Sequence, residues 1–122
     1  MPMDWSPMRR GEIRWVDFEP IRGAEAAKRR PAVIVSNDAA NATAARLGRG
    51  VLTVVPITSN TQRVYPFQVL LPHRDVALDR DSKAQAEQVR AVAVERIGSL
   101  VGRLTPPLLR ELEDALRLHL SL

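Results

Sequence analysis

The chain has 122 residues, of which 45% are hydrophobic and 26% charged, the size and composition of one globular domain. It contains no Cys, which excludes disulfides, thiolate zinc sites and a thiol nucleophile, and its two His residues, His73 and His119, lie too far apart in sequence for a local metal motif. The formal net charge is +4, and 16 of the 18 basic residues are Arg, a bias typical of phosphate and nucleic-acid binding that codon usage in a GC-rich genome would also produce.

No segment indicates a membrane protein or a secreted one. The apolar runs stay well below the ~20 residues that span a bilayer, and the opening MPMDWSPM lacks the apolar centre of a signal peptide. We therefore expect a cytoplasmic protein without membrane contact, with a flexible leader over residues 1–8 and a single domain over residues 9–122.

The first half of the domain predicts two strands and a short helix. Glu12–Phe18 and Ala32–Ser36 are rich in β-branched residues and predict strands, whereas the charged Glu19–Arg30 segment between them predicts a long loop. Asp38–Leu47 predicts a helix, because the Asn-Asp pair at residues 37–38 supplies good N-caps and glycines follow its end.

The middle of the chain alternates strands with polar turns. Val51–Ile57 is the most strand-like segment, Thr58–Val64 predicts a loop, and Tyr65–Leu71 predicts a strand that pairs with the preceding one. Pro72–Ser82 is charged and irregular. Lys83–Val94 has a period-two pattern but also a high helix propensity, so strand and helix both stay open for it.

The end of the chain predicts a turn and strand over Glu95–Arg103 and then an amphipathic helix over Thr105–Leu120. Thr105 suits the N-cap and Pro106 the first helical position. One face of this helix carries Leu109, Leu112, Leu116 and Leu120. Five or six short strands and a terminal helix predict a mainly β domain, either a small barrel or a strongly bent sheet capped by helix.

Three polar clusters interrupt strand ends, where scaffolds usually carry function. The first, Arg22–Pro31, sets the carboxylate of Glu25 near three adjacent cations and can clamp a phosphate. The second, Thr58–Thr61, offers hydroxyls to a phosphate or to its own turn, and the third, Asp81–Arg90, offers amides and a cation. Each of the three can equally be a solvated loop or face.

Together these clusters resemble one family. Four segments stand in the order and spacing of the MazF/PemK toxins of bacterial toxin–antitoxin systems: RGEIRWVDFEP, RRPAVIVSND, VVPITSN and EQVR, at residues 10–20, 29–38, 54–60 and 87–90. The resemblance covers nearly the whole chain, from about residue 9 to residue 120. It implies a mainly β fold with appended helices, namely a compact SH3-like barrel with a C-terminal amphipathic helix, acting as a homodimer. The function it implies is a sequence-selective endoribonuclease toxin.

The resemblance also implies a reaction. Members of the family cut single-stranded RNA, most often mRNA, without a metal or other cofactor. The ribose 2′-hydroxyl attacks the adjacent phosphate, which leaves a 2′,3′-cyclic phosphate and a 5′-hydroxyl and inhibits translation and growth. DNA lacks the attacking hydroxyl and is not expected to be cut.

The site residues follow from the motifs that match. The family's arginine before proline corresponds to Arg30 and its threonine after the V-P-x-T strand to Thr58, and Glu25 is the candidate to orient Arg30 or accept the 2′-hydroxyl proton. Further residues implied in RNA binding are Lys28, Arg29, Asn37, Ser59, Asn60, Gln88 and Arg90. Ala24 stands where many members have Ser, and loss of that hydroxyl would change the rate or the base preference.

The resemblance further implies partners, and two other functions compete with it. The expected partner is an antitoxin whose acidic, disordered C-terminal segment covers the RNA groove, and only that complex would bind promoter DNA. The same residues also fit a non-catalytic SH3-like module that binds nucleic acid or acts as a corepressor. Gyrase-poisoning toxins of this fold depend on a C-terminal Trp, whereas here both Trp residues lie near the start, and Trp15 is expected to pack in the barrel or at an interface.

Overall fold

A computed structural model describes residues 8–19 and 28–122, and of Glu19 and Lys28 the backbone only. Within these ranges the strands are β1 (Glu12–Glu19), β2 (Lys28–Ile34), β3 (Val51–Thr58), β4 (Gln68–Leu71), β5 (Ser82–Gln85), β6 (Arg90–Ala93) and β7 (Ile97–Arg103). The helices are α1 (Asp38–Leu47), α2 (His73–Val76) and α3 (Pro106–Leu120), and short 3-10 turns lie at Ala86–Gln88 and Val94–Arg96. No helix in the described part of the chain is long and apolar enough to cross a membrane.

The strands form one antiparallel sheet. Its order is β4-β5-β3-β2-β1-β7, and β6 pairs with β3 as well. β3 is therefore central, with β2 along one edge and β6 and then β5 along the other. β4 and β7 end the path and are not paired with each other in the described ranges, so the barrel is not closed. The mainly β fold with a C-terminal helix is confirmed.

Two apolar clusters fill the two sides of the sheet. Because side chains alternate along a strand, Val33 and Val55 belong to the first cluster while Ile34 and Val54 belong to the second. α3 covers the first cluster with Leu108, Leu112 and Ala115, and α1 adds Ala44 to the second.

A buried ion pair lies within β1. The Arg14 Nε donates to Glu12 Oε1 at 2.9 Å, and both side chains are at most 2% exposed. Arg14 Nη1 also donates to the carbonyl of Gly98 at 3.1 Å, and Arg103 Nη2 lies 3.4 Å from Glu12 Oε2. These bonds tie β1 to β7, and they offset part of the cost of burying both charges.

The predictions for both long helices are confirmed. α1 spans Asp38–Leu47, Asn37 Oδ1 accepts from the Ala40 N–H at 2.8 Å, and Gly48 ends the helix in the left-handed region at φ 67°. α3 begins after Thr105, whose hydroxyl oxygen accepts from the Leu108 N–H. Its buried face differs from the predicted leucine face. It consists of Leu108, Leu112 and Ala115 with Leu109 and Leu116 partly buried, whereas Leu120 is exposed.

The predicted pairing of Tyr65–Leu71 with the preceding strand is wrong. The strand begins only at Gln68, and β4 pairs with β5, which itself separates β4 from β3. After β4 the chain leaves the sheet at Pro72, forms α2 within a charged segment, and returns to the sheet at Ser82. Sequential strands are neighbours only as a tendency, and here a crossover overrides it.

Two other predicted elements have different bounds in the structure. The strand predicted at Ala32–Ser36 is β2, Lys28–Ile34, so residues 28–30 of the predicted loop are strand, while residues 20–27 lie outside the described ranges. The ambiguity at Lys83–Val94 resolves into the two short strands β5 and β6, joined by the 3-10 turn at Ala86–Gln88. Residues 1–7 of the predicted leader are also outside the description, whereas Met8 packs against the second apolar cluster.

Candidate active site

A cleft of about 390 Å³ opens at the end of β3. Strand residues of β1, β2, β3, β5 and β7 and the segment after α2 line it together: Trp15, Arg30, Pro31, Ile57, Thr58, Ser59, Ala77, Leu78, Asp79, Arg80, Ser82 and Val101. It therefore joins the first two polar clusters of the sequence with part of the third, although these are far apart in the chain.

The pairing of β2 with β3 explains why Arg30 and Thr58 meet. The ladder between the two strands ends at the pair Ala32 and Pro56, and Arg30 and Thr58 lie two residues beyond that pair on their strands. Residues opposite each other in an antiparallel pair share one face of the sheet. Pro31 lies where the ladder to β3 ends, a position at which its missing N–H costs no hydrogen bond to that strand. Arg30 is exposed and forms no ion pair with the described residues.

The end of β3 leaves a hydroxyl ready to donate. Thr58 Oγ1 accepts from the Asn60 N–H at 3.3 Å, and Asn60 Oδ1 accepts from the Gln62 N–H at 3.2 Å. A hydroxyl that accepts from the backbone still carries its own proton. Thr58 can therefore donate to an anion in the cleft while its oxygen is held by the turn, and Ser59 beside it also lines the cleft.

The opposite wall is the segment between α2 and β5. Asp81 Oδ1 accepts from the His73 N–H at 3.0 Å and lies 2.8 Å from His73 Nδ1. These bonds from His73 hold the pKa of Asp81 below its ordinary value. Residue 102 in β7 is a glycine because a Cβ there would collide with the carbonyl of Val76. The segment that carries Asp79 and Arg80 is thus held by the bonds between His73 and Asp81 and by close packing against β7.

Apart from Ser59, no predicted RNA-binding residue in the described ranges lines the cleft. Arg29 lies over the Trp15 ring, 6.0 Å from its centroid, and lines a second depression with Asp17, Arg96 and Gly98. Asn37 caps α1, Gln88 is exposed in the 3-10 turn, and Arg90 lies 5.4 Å from the centroid of Phe18. Lys28 is the first residue of β2, and Glu25 lies outside the described ranges.

Sequence reasoning missed several members of the site. Trp15 is 38% exposed and lines the cleft, where packing alone was expected. Asp79 and Arg80 come from the segment before the third polar cluster, which carries no motif, and Lys83 pairs directly with Thr58 across β3 and β5. The signal for these residues is the strand register, which a single sequence does not contain.

The cleft is equipped to bind a phosphodiester. It has two guanidinium residues, Arg30 and Arg80, and the hydroxyl residues Thr58, Ser59 and Ser82, although Ser82 Oγ already donates to the Arg80 carbonyl. Guanidinium and hydroxyl donors are suited to the charge that develops on a phosphoryl group in its transition state. Among the described residues, no group of three or more His, Cys, Asp or Glu side chains is gathered around a point that could hold a metal.

Comparison with known proteins places this geometry in one family. The chain is 60% identical over 115 residues to Endoribonuclease MazF9 of Mycobacterium tuberculosis, covering 94% of this chain and 98% of that one. MazF from Deinococcus radiodurans superposes with a TM-score of 0.71 at 26% identity, over 93% of this chain and 96% of that one. A mycobacterial endoribonuclease solved in complex with its cognate antitoxin has a TM-score of 0.71 at 23% identity, over 93% and 95%. Residues 9–120 match the family described as the PemK-like, MazF-like toxin of type II toxin-antitoxin systems, and the chain belongs to that family.

Proposed function

We propose that this MazF-type endoribonuclease cuts single-stranded RNA, mRNA above all, at short sequences and without a metal ion. The ribose 2′-oxygen forms a bond to the adjacent phosphorus as the bond from phosphorus to the 5′-oxygen breaks. The 2′-hydroxyl gives up its proton and the leaving 5′-oxygen gains one, so the products are a 2′,3′-cyclic phosphate and a 5′-hydroxyl. The observation that carries the proposal is that Arg30 and Thr58, from adjacent strands, line one cleft.

Arg30 and Thr58 stabilise the pentacoordinate phosphate in this proposal. Negative charge grows on the non-bridging oxygens as the 2′-oxygen attacks, and a guanidinium with a neighbouring hydroxyl donor stabilises that charge. Because a guanidinium keeps its proton in proteins, Arg30 acts through its charge and its donors and does not abstract the proton as a base. Thr58, held by Asn60, donates to a non-bridging oxygen without reorganising.

Glu25 is our candidate for the proton acceptor. It precedes Arg30 by five residues in the sequence, and a carboxylate near Arg30 could take the 2′-hydroxyl proton. Ala24 beside it lacks the hydroxyl that many family members carry there. We therefore expect a rate or base preference that an Ala24→Ser variant changes. Lys28, Arg29 and Ser59 contact the RNA backbone on either side of the cleft, with Asn37, Asn60, Gln88 and Arg90 as more distant contacts.

The proposed partner is an antitoxin with an acidic C-terminal segment. A structural relative was solved in complex with its cognate antitoxin, and the net charge of +4 favours an acidic ligand. We propose that this segment covers the cleft of a toxin homodimer in the cytoplasm, and that promoter DNA is bound only through the complex. The segment folds on binding and so can cover a large surface.

Growth and RNA mapping together test this function. Wild-type chain expressed without antitoxin should arrest growth and produce 5′-hydroxyl RNA ends that share a short consensus. Arg30→Ala, which removes the cation at an exposed position, should keep the fold and the dimer and abolish both effects. Arg110→Ala, at an exposed position on α3, is the matched control and should remain toxic. An Arg30→Ala variant that still arrests growth would move the site elsewhere, and ends without a consensus would contradict sequence selectivity.

A further inference from the structure

An aromatic and basic surface lies beside the cleft. The rings of Tyr65 and Phe67 are stacked with their planes 2° apart and their centroids 5.3 Å apart. The Arg63 guanidinium carbon and the Lys83 Nζ lie 5.6 Å and 6.0 Å from the centroid of Tyr65. Arg63 Nη1 also donates to the Tyr65 hydroxyl at 3.2 Å. We call these four residues, Arg63, Tyr65, Phe67 and Lys83, the Tyr65 platform.

Buried polar groups hold the platform in place. Lys83 is only 7% exposed, and its Nζ donates to the Arg63 carbonyl at 2.6 Å. The Tyr65 N–H donates to Gln68 Oε1 at 3.1 Å, and the Gln68 N–H donates to the Tyr65 carbonyl at 2.9 Å. Gln68 Nε2 in turn donates to Glu87 Oε2 at 2.7 Å. Tyr65 as a residue nevertheless stays 41% exposed. It is therefore held by its neighbours and still within reach of a ligand, so ordering the side chain on binding costs little entropy.

The strand register places the platform next to the proposed phosphate site. Lys83 of β5 pairs directly with Thr58 of β3, and cross-strand partners share a face with Cβ atoms about 4.5–5.5 Å apart. Thr58 therefore has Lys83 on one side, while β2 runs along the other side of β3 and its residue Arg30 lines the same cleft. A single-stranded ligand whose phosphate lies at Thr58 passes directly from the cleft onto the platform.

We propose that the Tyr65 platform stacks one unpaired nucleobase of the RNA next to the cleaved phosphate, an inference that rests on the proposed function. A nucleotide offers the flat π-face of its base to the Tyr65 ring and a phosphate that Arg63 and Lys83 attract. Stacking is tolerant of base identity, so the platform supplies affinity and position for the neighbouring nucleotide. An acidic peptide would use the cations but leave the accessible ring area without a partner.

A base-deletion scan tests the platform. The probe is an RNA oligonucleotide carrying the mapped cleavage sequence, with 2′-deoxyribose at the attacking position so that it is not cut, and with one abasic site moved along it. Loss of one stacked base weakens binding about 5- to 150-fold. Tyr65→Ala should weaken binding of the intact probe to the same degree, and at one position within two nucleotides of the cleaved phosphate the two losses should not add. Lys83→Met should weaken it severalfold, and Tyr65→Phe should retain most of the affinity because the ring remains.

The outcomes separate this inference from the proposed function. Leu118→Ala, an exposed apolar residue on α3, controls for surface truncation and should bind as the wild type does. Two results with a wild type that cuts RNA would refute the platform and leave the proposed function standing. In the first, Tyr65→Ala binds the probe as tightly as the wild type. In the second, the affinity lost in Tyr65→Ala adds to the affinity lost from an abasic site at every position. The inference would also be overturned if Tyr65→Ala lost affinity for an acidic antitoxin peptide but bound the RNA probe as the wild type does. A wild type that neither cuts nor binds RNA instead contradicts the proposed function itself.

Discussion

Replacing Thr58 with Val separates catalysis from folding. Valine keeps the branched shape of threonine but has no hydroxyl, so it removes the donor that we assign to a phosphate oxygen. Loss of one preorganised donor to a developing oxyanion costs about 2.7–4 kcal/mol in the transition state, or about 10²- to 10³-fold in kcat. The folded state loses only the 3.3 Å bond from the Asn60 N–H, worth about 1 kcal/mol and about 4 °C in Tm at this chain length.

The matched control is Thr53→Val, the same substitution five residues earlier on β3, where the side chain is half-buried and lies outside the cleft. Single-turnover cleavage of the mapped oligonucleotide and thermal unfolding are measured for both variants. We expect Thr53→Val to cut at the wild-type rate and Thr58→Val to unfold near the wild-type Tm but cut at least 100-fold more slowly. A folded Thr58→Val variant that cuts within about threefold of the wild type would refute the donor role.

Three further substitutions test the scaffold. Arg14→Met leaves the buried Glu12 carboxylate without its nearest guanidinium and should lower the free energy of unfolding in urea by about 3–5 kcal/mol, with part of the loss recovered when Glu12→Leu is added. Gly102→Ala drives a Cβ into the last carbonyl of α2 and should lower both Tm and cleavage rate, and an unchanged rate would show that the wall can shift freely. His73 holds the pKa of Asp81 below its ordinary value, so their interaction stabilises the fold above the ordinary Asp pKa and is lost as the pH falls through the lowered value. Asp81→Asn should therefore make the free energy of unfolding fall less steeply at acidic pH. The same acidic pH dependence in wild type and variant would contradict the role of this bond.

Local signals in the sequence predicted the elements that local physics decides. The N-cap and terminal glycine specify α1, and the N-cap Thr105 with its leucine pattern specifies α3. The place of β4 in the sheet could not be predicted, because the crossover through α2 depends on tertiary packing, as does the division of Lys83–Val94 into two strands.

The same distinction holds for the candidate site. The motif match selected Arg30, Thr58 and Ser59, and all three line the cleft. Lys83 carries no motif, and only its pairing with Thr58 brings it to the site. Asn37 matches the family segment, yet its side chain is engaged as an N-cap, which the helix signal alone explains. A motif match in the sequence thus predicts residues such as Arg30 and Thr58. A residue such as Lys83, which a neighbouring strand brings to the site, can be identified only from the strand pairing.

The most direct test of the central claim is cleavage of RNA by the purified chain, freed of antitoxin, in excess EDTA, with the ends of the products identified by mass spectrometry. We predict full cleavage at the mapped sequence, with 2′,3′-cyclic phosphate and 5′-hydroxyl ends, and no cleavage when a single 2′-deoxyribose replaces the attacking nucleotide. Intact RNA in EDTA, or products with 5′-phosphate ends, would contradict a reaction that uses the substrate's own hydroxyl at the cleft of Arg30 and Thr58.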